Sequence, residues 1–196
     1  MRHLIVNRTY RDKVIILYCG RLINKKGLMF LLDVVNLIPK SYPFEVWIYG
    51  EGNQKKELQD RIHQLALENI VSLKGFIPYT EMSNVYEKAD IFVLPSLRES
   101  GGSVLIEAMA HGLPIVSLNM ALSKLLDENN AGLFVNVNNS KETIINSFAN
   151  NLITLIRNEE LRTQLGHNGY KYVNSKYTWD IMINEVYGNI LNNYKN

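Results

Sequence analysis

The chain has one cysteine, Cys19, in 196 residues, so neither an intramolecular disulfide nor a cysteine-based zinc cage can form within it. Its four histidines, His3, His63, His111 and His167, stand far apart and make no ligand-spaced pair. An excess of one charge is missing too. Against 21 Lys and Arg there are 19 Asp and Glu, a formal +2, which is too little to recruit nucleic acid or an anionic membrane through the overall field. Anion recognition, if present, must be local. No apolar stretch approaches the ~20 residues that span a bilayer. The opening MRHLIVNRTYRDK offers only Leu4, Ile5 and Val6 before charge returns, too few for a signal-peptide core. These absences predict a soluble domain of a reducing cytoplasm with no nucleic-acid partner, leaving open a peripheral contact at the inner face of the membrane. Several nucleotide signatures are lacking as well. The first apolar run is followed by CGRLIN rather than G-x-G-x-x-G, GEGNQK after the second has no third glycine, and neither a P-loop nor a G-x-S-x-G elbow occurs.

What is present is ordinary globular material, 46% hydrophobic and 20% charged, in a length that suits one domain. Six short apolar runs recur: Val14 to Tyr18, Phe44 to Tyr49, Ile70 to Lys74, Asp90 to Pro95, Pro114 to Leu118 and Gly132 to Val137. Runs without polar alternation predict strands buried on both faces, as in a parallel sheet covered by helices. Between them Leu28, Leu31, Leu32, Val35 and Ile38, and then Leu58, Ile62 and Leu65, repeat at helical spacing. The alternation predicts an α/β fold: a Rossmann-like, doubly wound parallel sheet of about six strands with helices on both faces. Residues 1–13 read as a polar lead-in, and residues 14–196 as the domain. From Lys141 onward two helices are expected, the second carrying Trp179, Met182, Ile183, Val186, Tyr187, Ile190 and Tyr194 on one stripe. That stripe packs either on its own domain or on a partner.

In such a sheet, ligands bind beyond the carboxyl ends of the strands where the strand order reverses. With the order 3-2-1-4-5-6, the flanking loops are GRLINKKG, Gly20 to Gly27, and SLRESGGS, Ser96 to Ser103. Arg21 and Lys26 can put two cations over that crevice, which suits a diphosphate; the alternative is a pair of solvated surface cations. Gly101 and Gly102 clear the approach to Ser103, an N-cap residue, before a short helix from Val104 to His111 ended by Gly112. A bare helix N-terminus favours bound negative charge, although a glycine turn can also simply enter a helix. Glu99 and Glu107 flank this turn, and carboxylates so placed suit paired sugar hydroxyls better than phosphate. The alternative is a surface Glu99 and a Glu107 that serves the helix alone.

Taken in order, these segments resemble the group 1 (family 4) glycosyltransferases, retaining enzymes of the GT-B fold. RESGGSVLIEAMAHGLPIVS, Arg98 to Ser117, with DIFVLPS before it, resembles that family's E-x7-E region. GRLINKKG looks like its G-R-L-x-x-x-K-G segment, IYGEG (Ile48 to Gly52) like its G-x-G turn, and Tyr177 to Trp179 like the entry to its last helix. The resemblance implies that Arg21 and Lys26 grip the diphosphate of a nucleoside-diphosphate sugar and that Glu107 holds the ribose hydroxyls. It implies that Glu99, as the catalytic carboxylate, meets the transferred sugar together with the Gly102, Ser103 and Val104 backbone. The base would lie near Phe76 and Ile77, and no cofactor or obligatory metal is implied. Two departures stand out: Gly101 replaces a usual aromatic, and Ser117 to Leu126 lacks the family's Gly-Gly-x-x-Glu segment. The resemblance covers only the C-terminal, donor-binding half of a GT-B enzyme. An N-terminal acceptor-binding half is therefore implied, in cis or in trans. Three readings follow: the donor domain of a longer hexosyltransferase, catalytically incomplete alone and serving polysaccharide synthesis; a stand-alone nucleotide-sugar-binding subunit; or a GT-B nucleotide-sugar epimerase.

Overall fold

The computed structural model describes residues 12–96, 103–118 and 129–177. Six strands, β1 (Val14–Cys19), β2 (Phe44–Tyr49), β3 (Val71–Gly75), β4 (Ile91–Leu94), β5 (Ile115–Leu118) and β6 (Gly132–Val135), form one sheet in the order β3-β2-β1-β4-β5-β6. Every pairing is parallel. The helices are α1 (Leu28–Leu37), α2 (Lys55–Gln64), α3 (Tyr79–Lys88), α4 (Ser103–Ala110), α5 (Lys141–Arg157) and α6 (Glu159–Lys176).

Alternation along β1 divides the core into two layers. Ile16 and Tyr18 face a cluster completed by α1, α2 and α5 through Leu31, Leu58 and Phe148. Ile15, Leu17 and Cys19 face the opposite way, into a second cluster with Tyr86 of α3, Leu105 and Met109 of α4, and Val173 of α6. The expected doubly wound α/β fold is therefore the observed one. Burial on both faces holds for β4 and β5 but not for β2, where Glu45, Trp47 and Tyr49 alternate as half-buried residues. The reason is local: Trp47 and Tyr49 pack only in part on the second cluster, Lys74 lies 5.2 Å from the Trp47 ring, and the Trp47 Nε1 donates to Glu45 at 3.1 Å.

Helix ends follow side-chain chemistry. Ser140 accepts from the Thr143 N–H at the start of α5, and Asn158 accepts from the Leu161 N–H at the start of α6. Gly112, with φ 67°, closes α4 as expected: its N–H donates to Met109 and that of Leu113 to Ala108. α4 is described from Ser103 onward, so its entry lies outside the described residues, and one expectation shifts. The second C-terminal helix is α6, ending at Lys176, so the Trp179 to Tyr194 stripe follows it and lies outside the described residues. No helix among the described residues is long and apolar enough to cross a membrane.

One side chain ties the centre of the sheet. The Ile15 N–H donates to Asp90 Oδ2 at 2.7 Å, and the Asp90 N–H donates to the Ile15 carbonyl at 2.8 Å, so a carboxylate clamps the entry of β4 to β1. Removing a half-buried acceptor of this type strands an N–H donor, at a cost of about 2 kcal/mol. Asp90→Ala is thus expected to lower the thermal midpoint by about 4–8 °C, and Asp90→Asn, which keeps an acceptor, by less. Equal midpoints for wild type and Asp90→Ala would show the clamp to be idle.

Candidate functional site

The strand order reverses between β1 and β4, which sets a crevice above the tips of those two strands. The loop after β1 is held rigidly by its neighbours. The Gly20 N–H donates to Tyr49, the Leu22 N–H to Glu51 and the Gln54 N–H back to Leu22, all within 2.9–3.0 Å, and the Gly50 N–H reaches Gly75, the last residue of β3, at 2.8 Å. The tips of β1, β2 and β3 are thereby laced together. Beneath them, the fully buried Tyr18 donates its hydroxyl to the Arg21 carbonyl at 3.1 Å. This fixes the backbone from which Arg21 projects, exposed, into solvent.

Asn24–Lys26 then forms a single 3-10 turn, closed by Gly27 in the left-handed conformation at φ 72°, ψ 22°. A Cβ on Gly27 would stand 2.1 Å from the Pro95 carbonyl oxygen. The loops after β1 and β4 are therefore in direct backbone contact, and Lys26, half-buried, sits beside that contact. Ser96 follows Pro95, buried, with no hydrogen-bond partner for its hydroxyl among the described residues.

From the other side of the crevice comes α4. Ser103 opens it, exposed, and Val104 packs partly against the second core cluster. One turn on, Glu107 is half-buried and accepts from the Tyr86 hydroxyl at Oε2, 2.9 Å away. Its charge is felt at the end of β1: burial pushes the Cys19 thiol far above its ordinary range, and the Glu107 carboxylate pushes it further. Burial likewise raises the Tyr86 phenol, with the acidic groups of Cys19 and Glu107 adding to it, and raises Tyr49, with Cys19 adding to it. Both phenols therefore stay protonated at any working pH. Glu107, Cys19, Tyr86 and Tyr49 thus form one neighbourhood at the tips of β1 and β2.

A third ring completes it. His111 stacks on Tyr86 at 4.9 Å, its Nδ1 lies 2.7 Å from the Glu107 carbonyl and its Nε2 lies 2.9 Å from Ser83 Oγ. Because a carbonyl only accepts, Nδ1 carries a proton.

The sequence-predicted residues divide as follows. Arg21, Lys26, Ser103, Val104 and Glu107 all come from the segments bordering the tips of β1 and β4. Phe76, 75% exposed, and Ile77, half-buried against the second cluster, follow β3, which lies two strand spacings, about 10 Å, from β1. Glu99, Gly101 and Gly102 lie outside the described residues, as does most of the departure between Ser117 and Leu126. Sequence reasoning missed Tyr86, Ser83 and the role of His111 beside Glu107. Tyr86 falls in the spacing Met82, Val85, Tyr86, Ala89, which reads as plain core, and only its hydroxyl hinted otherwise. Among the described residues no cluster of three His, Cys, Asp or Glu could hold a metal ion. Two shallow hollows of about 490 and 770 Å³ lie instead along α1, against α5 and α2 respectively. Asp33 borders both and is already paired with Arg61 at 2.7 Å.

Comparison with known proteins gives this geometry a family. The model of the glycosyl transferases group 1 matches residues 4–172. An uncharacterized glycosyltransferase of Haemophilus influenzae is 36% identical over 154 residues, which are 76% of this chain and 41% of that protein. Among solved structures, a point mutant of S. aureus TarM, in complex with fondaparinux, alpha-GlcNAc-glycerol and UDP, superposes with a TM-score of 0.80 at 25% identity, covering 91% of this chain and 36% of TarM. The C-terminal domain of the group 1 glycosyl transferase LpcC from Francisella tularensis superposes with a TM-score of 0.70 at 25% identity, and there the coverage is 85% of this chain and 87% of the other. The chain spans less than half the length of the curated relatives it matches, 44% of the first, whereas it spans nearly the whole of an isolated C-terminal domain. With more than half its residues inside the family match, the chain belongs to the group 1 glycosyl transferases.

Proposed function

We propose that this chain is the donor-binding half of a retaining glycosyltransferase, which seats a nucleoside-diphosphate sugar and passes a hexose-type sugar to a glycan, lipid or other acceptor. The observations that support the reading are the influence of the Glu107 carboxylate on Cys19, the last residue of β1 and two positions before Arg21, and the backbone contact of Gly27, next to Lys26, with Pro95 after β4.

In this reading Arg21 and Lys26 meet the diphosphate. They hold it in the ground state and stabilise the charge that grows on it as the glycosidic bond breaks, so the departing nucleoside diphosphate is neutralised without an obligatory metal. Glu107 accepts from the ribose hydroxyls, and the exposed strip at Phe76 and Ile77 takes the base. Glu99, with the Gly102, Ser103 and Val104 backbone, meets the transferred sugar and its phosphate. Catalysis is then positioning plus charge stabilisation, and the acceptor comes from an N-terminal half, in cis or in trans. Without that half the chain binds donor and turns none over. The setting is the cytoplasm, with the inner face of the membrane reached through the full-length enzyme.

The test is calorimetric. UDP, GDP and ADP, their glucose and mannose conjugates, and inorganic pyrophosphate are titrated into the 196-residue chain. At least one nucleoside diphosphate is expected to bind more tightly than about 1 mM; a panel with no such binder overturns the reading. Glu107→Gln is expected to weaken the best nucleoside diphosphate about tenfold and to leave pyrophosphate unchanged. Equal losses for both ligands would contradict the ribose role.

A further inference from the structure

The Glu107 carboxylate has two oxygens and one described partner. Tyr86 donates to Oε2, and Oε1 has no hydrogen bond among the described residues. A glutamate side chain turns about three torsions, so a half-buried one must be held if it is to meet a vicinal diol in one orientation. Tyr86 is well suited to hold it. Its ring is 1% exposed and is wedged between Phe92, 6.1 Å away, and His111, 4.9 Å away. His111 is itself held at both nitrogens, by the Glu107 carbonyl and by Ser83. Ser83 and Tyr86 belong to α3, Glu107 to α4, and His111 to the turn that ends α4. The hydroxyl is therefore presented to Glu107 from a rigid, doubly braced ring.

We propose that Tyr86 is a positioning residue that holds Oε2 of Glu107, so that Oε1 accepts from the donor's ribose hydroxyls and the site prefers a ribonucleotide to its 2′-deoxy counterpart. The inference rests on the ribose role given to Glu107 above and adds the element that orients it. Because burial and the acidic groups beside it keep the phenol protonated, it donates across the whole working pH range.

The experiment uses the 196-residue chain and the best-binding member of UDP, GDP and ADP, titrated beside its 2′-deoxy form and inorganic pyrophosphate. Wild type is expected to favour the ribo form about tenfold, the worth of one charge-assisted hydrogen bond. Tyr86→Phe keeps the stacked ring and removes only the hydroxyl. It is expected to cut the preference to about threefold or less, mainly by weakening the ribo form, with pyrophosphate affinity unchanged. A merely structural tyrosine would move all three ligands together or none. A Tyr86→Phe preference equal to wild type overturns the proposal. Glu107→Gln separates the two levels of the argument: if it keeps the wild-type preference, the ribose reading itself fails; if it abolishes the preference while Tyr86→Phe does not, only the positioning role fails. The double variant reads the same link without an unpartnered carboxylate, and serves if Tyr86→Phe alone folds poorly. Its preference is expected to equal that of Glu107→Gln, and a further drop would show that Tyr86 acts independently of Glu107.

Discussion

Gly27→Ala is expected to lower the unfolding free energy by about 3 kcal/mol or more and the thermal midpoint by about 6–12 °C, an unusually large effect for adding one methyl group. Two costs combine. An alanine at φ 72° sits in the left-handed region at a penalty of about 1 kcal/mol. Its Cβ would also stand 2.1 Å from the Pro95 carbonyl oxygen and 2.9 Å from the carbonyl carbon. These are main-chain atoms at the end of a fully buried strand, so no side chain can rotate aside, and the loop after β1 must lift away from β4 at about 2 kcal/mol more. Gly112→Ala is the built-in control. It has nearly the same conformation, φ 67°, but its nearest foreign atom, the Gly166 carbonyl oxygen, lies 4.0 Å away. There only the conformational penalty applies, about 1 kcal/mol. Chemical denaturation of both variants decides the matter, since equal losses would mean that the two loops are not in close contact. Because Lys26 precedes Gly27, the lifted loop is also expected to lose diphosphate affinity in Gly27→Ala and to keep it in Gly112→Ala.

That contact joins residues 68 positions apart, and nothing in either segment announces it. The architecture, by contrast, was largely readable. Continuous runs such as VIILY can be buried only when helices cover both faces of the strand, so β1, β4 and β5 and their alternation with helices followed from composition. The run FEVWIY misled in one respect. Glu45, Trp47 and Tyr49 stay half-buried on one face, where Trp47 packs only in part on the second cluster, donates its indole N–H to Glu45 and carries Lys74 over its ring. The C-terminal stripe misled in another. The second helix after Lys141 is Glu159–Lys176, with Tyr177 at its end, and the stripe lies after it in the chain, outside the described residues. The candidate site residues were legible where chemistry and topology coincide: Arg21 and Lys26 lie in the glycine-bounded loop after β1 and Glu107 one turn into the helix that follows β4, on the side where a doubly wound sheet places its ligands. Tyr86 was not, because a core helix position and a polar contact 21 residues away look identical until the helix is docked.

Arg21→Ala and Lys26→Ala are each expected to weaken nucleoside-diphosphate binding by about tenfold or more, and the double variant by about a hundredfold. The two cations should not contribute alike. Lys26 is half-buried at the end of its 3-10 turn, next to the backbone contact with β4, whereas Arg21 is exposed. Its anchorage is in the main chain, through the Tyr18 hydroxyl on its own carbonyl and the N–H bonds of Gly20 and Leu22 on either side. An exposed charge is screened over a Debye length of about 8 Å at physiological salt, and a partly buried one far less. The Arg21→Ala defect should therefore shrink as salt rises while the Lys26→Ala defect persists. Both variants should weaken inorganic pyrophosphate as much as the nucleoside diphosphate, the reverse of the pattern expected for Glu107→Gln. Unchanged affinity for both ligands in both variants would remove Arg21 and Lys26 from the site. The diphosphate would then have to rest on backbone N–H groups at the start of α4 alone, too weak a hold for a leaving group that must be neutralised as it departs.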